Sequence, residues 1–88
     1  MTDKEIINII NDSMIKEFEF NPDTMIPDAH LVNGLGMDSL DFVDLVVVLH
    51  NAFGVKLRNE PKVRQIETLG DLHKLVMEKK RELEAGGK

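Results

Sequence analysis

The chain contains no cysteine, which excludes a disulfide framework and any thiol nucleophile of its own. Chemistry on a thiol would need a thiol supplied from outside the polypeptide. The longest uninterrupted apolar run, Leu45 to Leu49, is far too short to span a membrane. Met1 to Glu5 lack the basic stretch and apolar core of a secretory signal, so we expect a cytoplasmic protein.

Lysine and arginine are absent from residues 21–53, where five aspartates give a net charge of −5. Residues 1–20 carry a net charge of −3 and residues 54–88 one of +3, so the net charge of the whole chain is also −5. Such acidity repels nucleic acid and suits partners with lysine and arginine patches. A solvated surface kept for solubility would have the same composition. The length of 88 residues predicts a single domain over residues 1–88.

The stretch Leu35–Val55, which reads LGMDSLDFVDLVVVLHNAFGV, predicts a turn followed by one helix. Gly34 and Gly36 permit a tight turn. Asp38 is a good N-cap, and Asp41, three residues later, completes a capping box and places negative charge at the positive helix end. We therefore expect the helix to begin directly after Asp38.

This central helix has an apolar face with the i, i+3, i+4 spacing of helical residues. The face consists of Phe42, Leu45, Val46, Leu49 and Phe53. We expect Val43, Val47 and Val48 to widen it, with Leu40 near the start of the helix.

A buried strand over Leu45–Leu49 is the competing interpretation, because valine favours strands and is a mediocre helix former. The periodic pattern, however, continues from Leu40 to Phe53, between the Asp38 cap and a helix stop at Gly54. A short apolar run inside such a frame favours one helix.

The segment LGMDSLDFVDLVVVLHNAFGVKL resembles the signature of the acyl carrier protein family, in which the serine of an Asp-Ser-Leu triplet carries 4′-phosphopantetheine. Thr68-Leu-Gly-Asp-Leu72 resembles the start of the family's last helix, and the resemblance covers nearly the whole chain in order and spacing. It implies a non-catalytic acyl carrier with the arm on Ser39. It also implies a phosphopantetheinyl transferase that installs the arm from coenzyme A, using Mg²⁺ in its own site.

Thr2 and Glu5 form a capping box and predict a first helix that ends near Phe20, because Asn21 precedes Pro22. The apolar stripe of this helix is Ile6, Ile7, Ile10, Met14 and Phe18. A connection of 17 residues, 21–37, is long for a small domain, so we expect apolar residues to anchor it. These predicted anchors are Met25, Ile26, Leu31, Val32 and Leu35.

A short third helix is expected around Pro61–Gln65, with Val63 and Ile66 facing inward. Thr68 then caps the last helix, and residues 85–88 should fray. The stripe of the last helix is Leu69, Leu72, Leu75, Val76 and Leu83. Three main helices and a short one predict an all-α, small four-helix bundle, which is also the fold that the resemblance implies.

Neither a catalytic nor a metal site is expected. Ser39 lies in no Gly-x-Ser-x-Gly motif, and no other motif supplies a base. The connection holds Asn21, Asp23 and Asp28 but lacks the ligand order and closing glutamate of an EF-hand. Single histidines are typical of surface or packing positions; here they are His30, His50 and His73.

A phosphodiester on Ser39 would lie at a helix N-terminus, which favours an anion. Asp38 and Asp41 should repel it and direct the arm outward. We expect recognition by acyl-loading and acyl-processing enzymes with basic patches, through carboxylates that steer weak, rapid association and a small apolar contact. The predicted recognition residues are Asp38, Leu40, Asp41, Asp44 and Val47. We expect a monomer.

The chain departs from the common pattern of the family at several positions, which predicts a specialised carrier with its own partners. His50-Asn51-Ala52 replaces acidic residues, Gly34 stands where an acidic residue is common, and Phe42 should narrow an acyl pocket. The following segment is basic through Lys56, Arg58, Lys62 and Arg64. Two alternatives remain: a peptidyl, aryl or aminoacyl carrier, and a helical adaptor without a prosthetic group.

Overall fold

The computed structural model describes residues 1–58 and 60–86 and is built from helices. The three α-helices are α1 (Asp3–Phe18), α2 (Ser39–Phe53) and α3 (Leu69–Ala85), with 3₁₀ helices at Pro22–Thr24 and Pro61–Arg64. The described residues form no strand, and His30 and Thr68 share one isolated β-bridge. The all-α prediction is confirmed, and the short third helix is a 3₁₀ helix.

Each α-helix begins at a capping box. In α1 the Thr2 hydroxyl accepts from the Glu5 N–H at 3.2 Å, and the Glu5 carboxylate accepts from the Thr2 N–H at 2.9 Å. Thr68 and Asp71 repeat this arrangement at α3, where backbone N–H donors lower the pKa of Asp71. Helix α1 ends at Phe18, two residues earlier than predicted, because Glu19 is left-handed with φ 57°.

The three glycine positions predicted around α2 are confirmed. Gly54 ends the helix with φ 74°, and its N–H donates to the His50 carbonyl at 2.8 Å. Gly36 adopts φ 76° in the turn before α2. A Cβ on Gly34 would lie 2.7 Å from the His30 carbonyl oxygen, so the turn requires glycine there as well.

One core lies among the three α-helices and the loops at their ends. The helices contribute ten buried apolar side chains: Ile6, Ile10, Met14, Leu45, Leu49, Phe53, Leu69, Leu72, Leu75 and Val76. The connecting segments contribute Met25, Leu31, Met37, Val55 and Leu57. Partly buried residues packed against this core include Phe18, Leu35, Phe42, Val46, Val63 and Ile66, so the inward placement of the last two is confirmed.

Several residues predicted to be buried are exposed. Val43, which was predicted to widen the apolar face, is 62% exposed, because helical geometry turns it away from Leu45 and Leu49. Val47 was predicted both to widen that face and to take part in recognition on the outward side of α2, and its exposure of 54% agrees with the second prediction. Leu83 is 39% exposed. The Arg81 guanidinium already contacts Asp3 at the start of α1, so Leu83, two residues later in α3, lies beyond the end of α1. In the connection, Ile26 and Val32 point outward, opposite to their buried neighbours Met25 and Leu31.

The connection between α1 and α2 is bonded to the start of α3. The Leu31 N–H donates to the Glu67 carbonyl at 2.8 Å, and the Leu69 N–H donates to the Ala29 carbonyl at 2.9 Å. The Met37 N–H in turn donates to the Leu31 carbonyl at 3.0 Å. Because Met37 directly precedes the Asp38 cap, these bonds fix where α2 begins relative to α3.

Helix α3 includes Ala85, while Gly87 and Lys88, part of the tail predicted to fray, lie outside the described residues. Within the described part of the chain, every helix is too short or too polar to cross a membrane.

A buried histidine makes the stability of the fold dependent on pH. His73 is 4% exposed and its Nε2 lies 2.8 Å from Asn11 Oδ1; burial lowers the pKa of His73. Below the unfolded pKa of about 6.5, the unfolded chain binds a proton on this histidine more readily than the folded chain does. A lower pH therefore favours the unfolded state. We expect the free energy of unfolding to fall between pH 7.5 and 5.5.

The variant His73→Gln tests this expectation, because glutamine keeps a donor for Asn11 but does not titrate. Urea unfolding at both pH values should give a smaller loss of stability in the variant than in the wild type. Equal losses in the two proteins would show that His73 is not the responsible group.

Candidate functional site

Ser39 is the first residue of α2, and its side chain is exposed. Asp38 Oδ1 accepts from the Asp41 N–H at 3.0 Å, and Asp41 Oδ2 accepts from the Asp38 N–H at 3.1 Å. This predicted capping box is confirmed, and it fixes the backbone on both sides of the serine. A hydroxyl held in this way is presented to solvent on a rigid helix start.

Two backbone donors beside Ser39 are available to a ligand. The Asp41 N–H is taken by the Asp38 carboxylate, and the Phe42 N–H donates to the Asp38 carbonyl at 3.1 Å. Among the described residues, the N–H groups of Ser39 and Leu40 have no acceptor. Unpaired N–H groups at a helix N-terminus favour an anion, such as a phosphate ester on the serine itself.

Three apolar residues, Leu40, Val43 and Val47, form a stripe along the solvent-facing side of α2. Together with Asp44 they make up what we call the α2 outer face. Leu40 is 75% exposed, and its neighbours Val43 and Val47 are also exposed. Val43 belongs to this stripe because it stands at i+3 from Leu40 and i−4 from Val47. The exposure of Val43 was not predicted, although its spacing from Leu40 could have identified it as a surface residue.

The acidic residues predicted for recognition differ in their surroundings. Asp38 and Asp44 are exposed, whereas Asp41 is half-buried. The carboxylates of Asp38 and Asp41 are both used in the capping box. Asp44 is therefore the carboxylate on α2 that is bound to no group among the described residues and is fully available to a partner.

A cleft of about 1210 Å³ opens beside Ser39 and runs between α2 and residues 57–58 and 60–66. It is lined by Val32, Met37, Asp38, Ser39, Phe42, Val43, Val46, Val47, Leu57, Arg58, Glu60, Val63, Arg64 and Ile66. A second cavity of about 580 Å³ continues it toward the end of α2, where it includes His50 and Lys56. Most of the residues that line the cleft are apolar, and the charged ones are Asp38, Arg58, Glu60 and Arg64.

Comparison with known proteins decides what this arrangement is. A family profile described as "Phosphopantetheine attachment site" matches residues 10–76. An "Acyl carrier protein" of Lactobacillus johnsonii is 34% identical over 71 residues, which cover 81% of this chain and 88% of that protein. The chain belongs to the acyl carrier protein family. The matched profile is that of a phosphopantetheine attachment site, so 4′-phosphopantetheine is the cofactor that this membership indicates.

Other members of the family show the same likeness over different lengths. "Acyl carrier protein 2" of Ralstonia nicotianae is 33% identical over 72 residues, or 82% of this chain and 88% of that protein. "Acyl carrier protein AcpXL" of Brucella melitensis is 35% identical over 57 residues, or 65% of this chain. The match spans only 61% of that protein's length.

The residues around Ser39 fit 4′-phosphopantetheine. The serine hydroxyl is exposed, the N–H groups of Ser39 and Leu40 can donate to a phosphodiester, and the cleft begins beside the hydroxyl. When bound, the group supplies a terminal thiol that forms thioesters, and the chain itself has no cysteine.

Two of the remaining polar candidates have structural roles. Asn21 Oδ1 accepts from the Asp23 N–H at 2.9 Å and caps a 3₁₀ helix. His30 Nδ1 accepts from the Asn33 N–H at 3.1 Å in the loop before α2. Within residues 1–58 and 60–86, no three His, Cys, Asp or Glu side chains are placed to hold a metal ion.

Proposed function

We propose that Ser39 is the attachment point of the phosphopantetheine arm and that the protein presents acyl groups, bound as thioesters, to biosynthetic enzymes in turn. The observation that carries this proposal is the exposed Ser39 hydroxyl at the capped start of α2, at the mouth of the cleft. The protein would break and form no bonds in its cargo. Its residues hold the arm and are recognised by the enzymes.

The attachment reaction is a phosphoryl transfer in the active site of a phosphopantetheinyl transferase. The Ser39 oxygen bonds to the β-phosphorus of coenzyme A, and the bond between the two phosphates breaks. Adenosine 3′,5′-bisphosphate leaves, and the hydroxyl proton passes to a base of the transferase. In the product, the Ser39 and Leu40 N–H groups face the phosphodiester, while the Asp38 and Asp41 carboxylates repel it toward solvent.

The α2 outer face is the proposed docking surface for these enzymes. Leu40, Val43 and Val47 offer a small apolar contact, and Asp44 offers a carboxylate to lysine or arginine on the partner. Binding through a few exposed residues is weak, as a shuttle between enzymes requires. The predicted cytoplasmic location and monomeric state stay predictions.

Reversal of the charge at Asp44 should slow loading. We expect Asp44→Lys to lower kcat/KM of the transferase about tenfold at low salt, because steering toward a basic patch is lost. The effect should shrink as the salt concentration rises. The readout is the rate at which holo-protein appears by mass spectrometry.

The matched control is Asp12→Lys, which makes the same change of charge at an exposed position of α1. It should leave the rate within about twofold of the wild type, since distant exposed charges are screened. Equal slowing in both variants would mean that net charge, and not the α2 outer face, governs loading.

Two measurements separate this proposal from its alternatives. After co-expression with a broad-specificity transferase, the intact mass should increase by one phosphopantetheine, whereas a helical adaptor would show no increase. Acyl ligases should then load the holo-protein faster than aryl or aminoacyl ligases. The reverse preference would make the protein a peptidyl, aryl or aminoacyl carrier.

The basic segment also supports a specialised carrier. Arg58 and Arg64 lie at the cleft, and Lys62 pairs with Glu78 at 2.6 Å. We expect general fatty acid synthase enzymes to turn over this protein more slowly than a housekeeping carrier, because those positions are often acidic in the family. Equal turnover of the two carriers would contradict this expectation.

A further inference from the structure

We propose that the cleft beside Ser39 accommodates a cargo acyl group whose far end carries a carboxylate, bound by Arg58 and Arg64. The inference rests on the proposed carrier function and adds to it a class of cargo. The evidence for it is the position and the charge of these two side chains, which have no role in the attachment of the arm to Ser39.

The cleft is lined by charges of both signs, with Asp38 and Glu60 as carboxylates and Arg58 and Arg64 as guanidinium groups. At its opening Ser39 is next to Asp38, a carboxylate. Arg58 lines both this cleft and the continuing cavity at the end of α2, which does not include Ser39. Val47, on the wall near Arg58, is eight residues and thus about 12 Å along the helix axis from Ser39.

The wall between these two charged regions is apolar. Val43, Val46 and Val47 form it on α2, and Val63 and Ile66 form it on the opposite side. A ligand that matches this order would have a hydrocarbon middle and an anionic end. A purely hydrocarbon chain would leave the guanidinium groups without a partner in the complex.

The two guanidinium groups are available for an anion. Among the described residues, the ion pairs of positive side chains involve Lys62, Lys79 and Arg81, and neither Arg58 nor Arg64. The lining holds two carboxylates: Asp38 is used in the capping box, and Glu60 is bound to Lys79 at 2.6 Å. Arginine favours a carboxylate because its planar donors match both oxygens.

The arm's own phosphodiester is the other anion that could reach these arginines. It must be attached to the Ser39 oxygen, beside Asp38 and the free N–H groups, and Arg58 extends to a cavity that Ser39 does not line. This placement favours the end of the cargo over the phosphate, and a holo-protein without cargo separates the two sources in the experiment.

The test uses the full chain loaded on Ser39 by a transferase from octanoyl-coenzyme A or octanedioyl-coenzyme A, which differ only in the terminal group. In low salt, we expect the thermal midpoint of the octanedioyl form to exceed that of the octanoyl form by about 4 °C. The difference should decrease in high salt, because both arginines are exposed. The Arg side-chain N–H resonances should shift only with the octanedioyl cargo.

Variants assign the effect to the two arginines. In Arg58→Gln with Arg64→Gln, the difference between the two cargoes should vanish. Lys74→Gln with Lys80→Gln removes the same charge from α3, away from the cleft, and should keep the difference. A difference that persists without the arginines would overturn the proposal.

Two further outcomes would also overturn it. The first is an equal midpoint for both cargoes on the wild type. The second concerns the holo-protein without cargo. If the arginine variant is destabilised as much in this form as in the octanedioyl form, the arginines bind the phosphodiester and not the cargo. Failure to load Ser39 at all would instead contradict the carrier function, so the two failures are distinguishable.

Discussion

Replacement of Ser39 by alanine should abolish modification of the protein and leave its fold intact. Alanine removes the hydroxyl that would accept the phosphoryl group, and no cysteine exists to take its place. Ser39 is exposed and is not the N-cap, so we expect the free energy of unfolding to change by less than about 0.5 kcal/mol. Intact mass after incubation with coenzyme A and a transferase measures the first effect, and thermal unfolding measures the second.

Ser13→Ala is the matched control, because Ser13 is the other serine of the chain and lies in the middle of α1. It should be modified at the wild-type rate. If Ser39→Ala still gained the mass of one phosphopantetheine, the attachment site would be elsewhere in the chain.

Replacement of Leu49 by alanine should have the largest effect on stability. Leu49 is fully buried between α2 and the rest of the core. Removal of such a side chain costs about 2–5 kcal/mol, which is a large part of the stability of a small domain. We expect the thermal midpoint to fall by at least about 10 °C, as followed by circular dichroism.

Val47→Ala provides the comparison within the same helix. Val47 is 54% exposed, and its truncation should change the free energy of unfolding by no more than about 0.5 kcal/mol. If the two variants lost equal stability, the assignment of Leu49 to the core and Val47 to the surface would be wrong.

The helix starts could be predicted from the sequence because their causes are local. Thr2, Asp38 and Thr68 each stand three residues before a carboxylate, and in the structure each of the three pairs forms a capping box. The stop at Gly54 is equally local, since left-handed backbone is open to glycine. The position of the serine at the start of α2 follows from these short-range patterns.

The cleft could not be predicted in this way, and the outer face of α2 was predicted without Val43. Helix α2 is apolar on most of its circumference, so its sequence alone does not show which valines other elements cover. Residues 57–58 and 60–66 leave a cleft beside Val43 and Val47 and do not bury them. The contact between His73 and Asn11 joins residues 62 positions apart and has no signal in either neighbourhood.

The direct test of the account is to find which atom carries the arm. The wild-type protein is incubated with coenzyme A and a transferase, digested, and sequenced by tandem mass spectrometry. We predict one phosphopantetheine per chain, with every modified fragment containing Ser39. An unmodified polypeptide, or an adduct on any other residue, would contradict it.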